Sequence, residues 1–538
     1  MSNLLQKASI ITTPTAYDTG KILSVKPVQT YGPEIINNGD FNGNANGWLL
    51  ESGITYGNNN IVFASASNQK AIQTQTFIVG KTYKVSVNLQ SYTSGIITVR
   101  MGSVPKVITT NLGVKTWYVV AIGDLARIEG TFNVGVNATI SNVSVKEVFN
   151  ADFDFSRNSS ATRVGSNGLI QDVASNLPRI DYTGGVGSWK FEPQRTNIIE
   201  YSENFSQSFW SLSGTGSLIT ANTTTAPNGL QSASTLTLAG VGYIGLAKTT
   251  NLTETFSFFV KYSNSPWVFI EGFDGADKGA WFNIQTGNIG STSGGATANI
   301  EEAANGFYRC SITATFTGAT TFALFQTISN GSFTRANGDV IIWGAQLEVG
   351  SYPTSYIRSN SGSATTRLAD VANNAGSSDL INSTQGVLYA EIAAFADDLT
   401  SREINISDGS LSNTIAIIYN QPSNNIRFLV RASATTYVDI NIVITDITIS
   451  NKVAFKYKEN SFSAFINGFE LGSDNSGLVP TGNVLNELSF TRSTARAFYG
   501  NTKCVAVFKE ALTDLELECL SSWMSFSDLG INFGYTVE

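Results

Sequence analysis

The sequence predicts an all-β protein of tandem antiparallel β-sandwiches of the jelly-roll type, and three observations carry that prediction. Apolar residues recur with period two: Tyr83, Val85, Val87 and Leu89 alternate with Lys84, Ser86 and Asn88, as in a strand with one buried face. Charged residues make up only 14% of the chain, against about 25% in an average globular protein. The surface is instead rich in Gly, Asn, Ser and Thr, which suits short strands joined by turns, because Gly and Asn tolerate positive φ and Ser and Asn bond back to the backbone. The chain also says nearly the same thing twice. Asn38-Gly39-Asp40-Phe41 followed by Trp48-Leu49 opens one block, and Glu203-Asn204-Phe205 followed by Trp210-Ser211-Leu212 opens another. The blocks close on Ile140-Ser141-Asn142-Val143-Ser144-Val145-Lys146-Glu147-Val148 and on Ile341-Ile342-Trp343-Gly344-Ala345-Gln346-Leu347-Glu348-Val349. A shared opening and closing strand mark a duplicated module, and a period far above about 50 residues means modules in series rather than a solenoid.

The 538 residues leave room for roughly three or four domains. The chain has no histidine, which removes the commonest general base and most zinc sites. No catalytic residue, metal site or cofactor is expected. The net charge of −8 comes without a Lys/Arg cluster, which argues against nucleic acid. No run of 18 apolar residues is present, so no membrane insertion is expected, and the first residues lack the pattern of a classical secretion signal. Cys310, Cys504 and Cys519 lack C-x-x-C spacing and read as buried thiols, with a Cys504 to Cys519 disulfide as the alternative.

In order along the chain, residues 1–33 carry short apolar stretches, Ile10-Ile11 and Ile22-Leu23-Ser24-Val25, separated by the turn signal Asp18-Thr19-Gly20. They are too short to fold alone and are expected to form an arm docked on a partner. Residues 34–149 form the first sandwich, with further strands at Thr98-Val99-Arg100 and Phe132-Asn133-Val134. Residues 150–195 form a connector in which Arg157, Arg163 and Arg195 accompany Asp152, Asp154 and Glu192. Fork-like ion pairs between these groups would pin one module to the next; anion or sugar-acid binding is the other reading. The second sandwich spans 196–357, a linker 358–380, and a third strand-rich unit 381–538. In that last unit Asn467-Gly468 is the strongest hairpin signal, and Thr513-Asp514-Leu515-Glu516 reads as a capping box stapled by Leu512 and Leu517.

Several of these phrases carry resemblances. The Asn-Gly-Asp-Phe opening, the tryptophan after a short loop and the closing strand of 34–149 resemble carbohydrate-binding-module-like jelly rolls. Arg195-Thr196-Asn197-Ile198, the run from Tyr201 to Trp210, and Trp343 to Glu348 followed by Tyr352-Pro353-Thr354 resemble fibre and spike-type virion proteins of tailed bacteriophages. The Asn-Gly hairpin, the strand Val505-Ala506-Val507-Phe508 and the helix start at Ala511-Leu512-Thr513 resemble concanavalin-like or laminin-G-like lectin sandwiches. These resemblances imply a structural, non-enzymatic virion fibre, exposed on the particle surface, attached to a capsid or tail protein through residues 1–33. They also imply a homotrimer. A polysaccharide-degrading tail spike and a bacterial surface adhesin are the alternatives.

One patch has the composition of a ligand site. Trp267, Phe273, Asp274, Asp277 and Trp281 crowd around the turn-rich run Gly272-Phe273-Asp274-Gly275. A sugar needs an aromatic face for the apolar side of its ring and fixed carboxylates for its hydroxyls, so these five are the candidate glycan-binding residues. The competing reading makes both tryptophans core plugs and the aspartates turn caps. A calcium loop is disfavoured because the EF-hand spacing is missing.

Overall fold

The computed structural model describes residues 4–523 except 28–29, 67, 76, 109–110, 131–134, 421 and 492–495. The strand expected at Phe132-Asn133-Val134 therefore lies outside the described residues, as do the ends of the expected first and last segments. The chain is 55% strand and 3% helix, and every named strand pairing is antiparallel. It forms two compact units, residues 26–150 and residues 1–25 with 151–538.

In the first unit, alternation builds the sandwich directly. Val85, Val87 and Leu89 on the strand Thr82–Ser94 are buried while their neighbours face outward. That strand sits centrally in a sheet of six, between Gly113–Val120 and Val136–Phe149. A sheet of five, with Ile97–Met101 and Leu125–Gly130 at its centre, supplies the facing layer. Trp48 plugs one end and donates its indole N–H to the Asn38 carbonyl (3.3 Å), which meets the need of a buried indole for an acceptor.

The second unit holds two sandwiches. One pairs two six-stranded sheets: the strand Trp267–Phe273 lies between Asp277–Asn283 and Gly318–Thr327 in one, and Thr253–Tyr262 lies between Phe307–Thr315 and Gly338–Val349 in the other. The Phe256 and Phe322 rings meet between the layers (5.5 Å between centroids). The last sandwich sets a five-stranded sheet against a larger one whose core strands are Gly500–Phe508, Gln385–Ala394 and Asn451–Lys458. Ile466 pairs with Phe469, so the hairpin between them has the two-residue loop Asn467-Gly468, with φ of 50° and 90° as its mirror-image turn demands. The helix Asp514–Ser522 starts on the expected capping box, with Thr513 and Glu516 bonded reciprocally. Leu512 and Leu517 share a cluster beneath it. All three cysteines are free thiols.

The N-terminal segment, expected as an arm docked on a partner, is placed in part on its own chain. Ala8–Thr12 lies along Gly500–Phe508, with Ile10 opposite Val507 and Ile10 fully buried. The strand is buried at every residue but Ser9, and a sheet edge of the same chain satisfies both its backbone and its side chains. The linker and connector are ordered too. Thr365–Arg367 pairs with Arg195–Asn197, and Val371–Asn373 with Phe153–Ser156. Ser188–Phe191 adds to the edge of the last sandwich.

The expected connector pairs are also redistributed. Arg157 bonds Asp370 (3.0 Å), Arg179 bonds both Asp370 (2.5 Å) and Glu192 (2.6 Å), and Arg367 bonds Glu192 (2.8 Å). All five side chains are buried, and the arginines hold the Glu192 carboxyl well below its usual range despite its desolvation. Arg163 instead donates to the Tyr17 hydroxyl (3.0 Å) and Arg195 lies over the Tyr352 ring. Asp152 accepts from Ser24, and Asp154 from Lys21 and Asn374.

Candidate functional site

The strand Trp267–Phe273 alternates Val268 and Ile270 toward the facing sheet with Phe269, Glu271 and Phe273 on the other face, where Phe333 covers Phe269 and leaves it fully buried. Register then builds three rows across the outer face. Phe269 lies between Trp281 and Phe325, Glu271 between Gly279 and Ala323, and Phe273 between Asp277 and Thr321. The middle row continues to Gly245 on one side and Ser293 on the other. Small residues therefore flank Glu271 on both sides, and the strip between the aromatic row and the Phe273–Asp277 row, called the trough below, leaves Glu271 only 7% exposed. Gly279 is required there, since a Cβ would come within 2.7 Å of the Phe269 ring and 2.9 Å of Glu271 Cβ.

Residues 328–337 strap the aromatic row. Phe333 packs on Trp281 (4.9 Å between centroids) and Phe269 (5.4 Å). Trp281 donates its indole N–H to the Ser332 carbonyl (2.9 Å), and the Asn330 side-chain oxygen accepts from the Ser291 N–H (2.7 Å). The Arg335 guanidinium lies over the Phe325 ring. Its charge reaches both Glu271 and Asp277.

The polar base is incompletely satisfied. Burial, and then the hydrogen bond and negative charge of Asp277, push the Glu271 carboxyl up to about 8, against the pull of Arg335. Burial lowers Arg335 to about 10, although Glu271 and Asp277 act against that fall. Glu271 Oε2 and Arg335 Nη1 are buried without a hydrogen-bond partner, an arrangement that costs free energy unless something completes it. One donor and one acceptor are thus left unsatisfied within the protein, on the sheet face that carries the half-exposed ring of Phe273 and the strap ring of Phe333.

Of the five candidate residues, Phe273, Asp277 and Trp281 come together at this trough. Trp281 is almost wholly buried, so its ring supports Phe333 rather than facing solvent. Trp267 stands at the far end of the same face, opposite Asn283 and Thr327. Asp274 turns away: it accepts from Lys278 (2.6 Å) and the Thr317 N–H (2.9 Å), and against the cost of desolvation these bonds hold its carboxyl below its usual range. Its role is that of a turn cap. Glu271, Arg335 and Phe333 were not among the candidates. Glu271 carried a readable signal, a carboxylate two residues from each of two aromatics on one strand face. The other two sit in a Gly/Ser/Asn-rich loop far along the chain, which offers none. Among the described residues no group of acidic, histidine or cysteine side chains has the geometry to hold a metal ion, and no helix is long and apolar enough to cross a membrane.

No protein-family model and no curated protein sequence matches this chain. Among solved structures, the CBM40 module of the Ruminococcus gnavus IT-sialidase, free and bound to alpha2,3 sialyllactose, is similar over 28% of this chain and 93% of its own, at 14% identity and a TM-score of 0.24. The LG1-3 region of the laminin alpha2 chain is similar over 82% of this chain and 95% of its own, at 8% identity and a TM-score of 0.13.

Proposed function

We propose that this chain is a non-enzymatic adhesion protein, a fibre component exposed on a phage virion, and that its second sandwich holds a host-surface or environmental glycan in the outer-face trough. The observation that carries the reading is the unpartnered pair of Glu271 Oε2 and Arg335 Nη1 at the base of an aromatic trough. Two neighbouring hydroxyls of a sugar would satisfy both at once, one donating to the carboxyl and one accepting from the guanidinium, while Phe273 covers the apolar face of the ring. The resemblance of residues 150–370 to fibre proteins supports the virion setting and a trimeric assembly. Against hydrolysis, the Glu271 and Asp277 carboxyls hydrogen-bond each other, whereas glycosidases separate theirs by about 5 to 10 Å.

The test is a glycan array on wild type and Phe273→Ala, with reducing-sugar release measured on every glycan bound. Binding that falls in the variant without turnover supports the reading. Binding unaffected by Phe273→Ala and by Glu271→Gln retires the trough, and turnover retires the non-enzymatic assignment. Sedimentation of the intact protein checks the assembly, and a monomer at micromolar concentration would remove the trimer.

A further inference from the structure

A second cavity lies apart from the trough. A cleft of about 780 Å³ opens between the connector and the second sandwich, inside the range of about 300 to 1,000 Å³ typical of small-ligand sites. Two turns of the connector line it: 165–169, where Gly168 N–H closes on the Gly165 carbonyl (2.9 Å), and 182–185, where Gly185 N–H closes on the Tyr182 carbonyl (2.8 Å); Glu301 to Asn305 and Pro353 to Tyr356 line it from the second sandwich. Gly168, Gly184 and Gly185 have positive φ and open space where a Cβ would stand. Both turns therefore present bare peptide groups, which donate and accept without charge.

The charges lining the cleft are largely spent within the protein. Lys190 is paired with Asp181 (2.9 Å), and Glu192 belongs to the buried network. Arg309 donates one N–H to the Thr354 carbonyl (2.6 Å) and packs over Phe259. It keeps one open valence: its Nε is buried with no partner, on a side chain only 8% exposed. Glu301 and Glu302 are exposed on the rim, as acceptors. A phosphate or sulfate would meet these rim carboxylates, and a strongly cationic ligand would meet Arg163 and Arg309.

We propose that this cleft is a second binding site, independent of the trough, for a short uncharged oligosaccharide. Ring hydroxyls pair with the peptide groups of the two turns and the rim carboxylates, and a ring or bridging oxygen accepts from Arg309 Nε. The half-buried ring of Tyr182 supplies the apolar contact.

Calorimetric titration of the intact protein with neutral hexasaccharides of the cellulose, amylose, chitin and mannan types tests the proposal. Thr183→Trp and Ser166→Trp fill the cleft from two different turns at exposed positions, so that misfolding of one turn does not decide the outcome. Phe273→Ala perturbs only the trough. The expected result is binding of at least one hexasaccharide that weakens about tenfold or more in both tryptophan variants and is unchanged in Phe273→Ala. Failure of the wild type to bind any of the four, wild-type affinity in both filled variants, or loss in Phe273→Ala alone would overturn the site; none of these results removes the trough reading, which the glycan array on Phe273→Ala and Glu271→Gln decides.

Discussion

Phe205 and Trp210 pack with ring centroids 5.3 Å apart and planes inclined at 49°, and Phe41 and Trp48 repeat the arrangement at 5.5 Å and 49°. The indole N–H finds a backbone carbonyl in both, of Tyr201 in one and Asn38 in the other. The repeated phrase in the sequence is thus a repeated plug: an aromatic pair that closes one end of a sandwich where the strands run out.

Removing either plug should leave a cavity that the rigid strand ends cannot collapse into. Trp210→Ala and Trp48→Ala are each expected to cost about 3 to 5 kcal/mol, measured by denaturant unfolding. Each loss should register in its own sandwich, and near-wild-type stability in either variant would contradict the packing described.

The buried network around Arg179 should behave as a unit. Asp370→Asn leaves Arg157 and Arg179 each short of a charged partner away from water, an imbalance worth about 3 to 5 kcal/mol. Because Glu192 is depressed below its usual range, its contribution is fully present above the unfolded carboxyl value and is lost as pH falls through the lower folded value. Acid unfolding of the second unit should therefore shift to higher pH in Asp370→Asn, as followed by tryptophan fluorescence.

Glu271 has the opposite sign. Its carboxyl is raised to about 8, so the stability of its protonated form is complete below the unfolded carboxyl value of about 4.3 and is lost as pH rises through 8. Glu271→Gln removes that titration. The variant should match wild type near pH 5 and melt higher near pH 9; equal melting curves at both values would place Glu271 in a less buried setting than the one described.

The first sandwich is expected to be removable. Ser24 donates its backbone N–H to Asp152 (2.7 Å), and Ala151 donates to the Ser24 hydroxyl (3.2 Å), so the chain leaves and re-enters the second unit at one place. Deleting residues 26–150 and joining Val25 to Ala151 through a short Gly/Ser linker should leave a folded protein with the cooperative unfolding of the second unit. An unfolded or molten product would show that the ends are held together only by what lies between them.

Much of this architecture was legible because it rests on local rules. Period-two alternation placed the strand Thr82–Ser94, Asn467-Gly468 placed a hairpin, and Thr513 to Glu516 placed a helix start. What escaped depends on partners far apart in sequence. Arg157 was marked as needing a carboxylate, but Asp370 stands 213 residues away. Trp267 and Trp281 were paired by proximity along the chain, whereas sheet register sets Trp281 beside Phe269 and Phe325 and leaves Trp267 at the end of the face. Asp274 had the right chemistry for a ligand, yet its turn delivers Lys278 and Thr317 to it first.

The strand Ala8–Thr12 has a consequence for how the molecule comes into being. Ser9 bonds the Val507 carbonyl across 498 residues of chain, so a segment that leaves the ribosome long before its partner strand waits for that strand before its apolar residues are covered. Closing so wide a loop is a modest entropic burden, since each doubling of length adds only about 0.6 kcal/mol. The delay is the larger cost: at about 5 to 20 residues per second, Ile10 and Ile11 remain unshielded for tens of seconds while everything between is made and folded. During that interval on a polysome, the Gly500–Phe508 edge of a neighbour just completed, before its own Ala8–Thr12 strand has docked, offers the same surface as the chain's own unfinished sheet, and first synthesis is the moment at which identical chains have their best opportunity to exchange this strand.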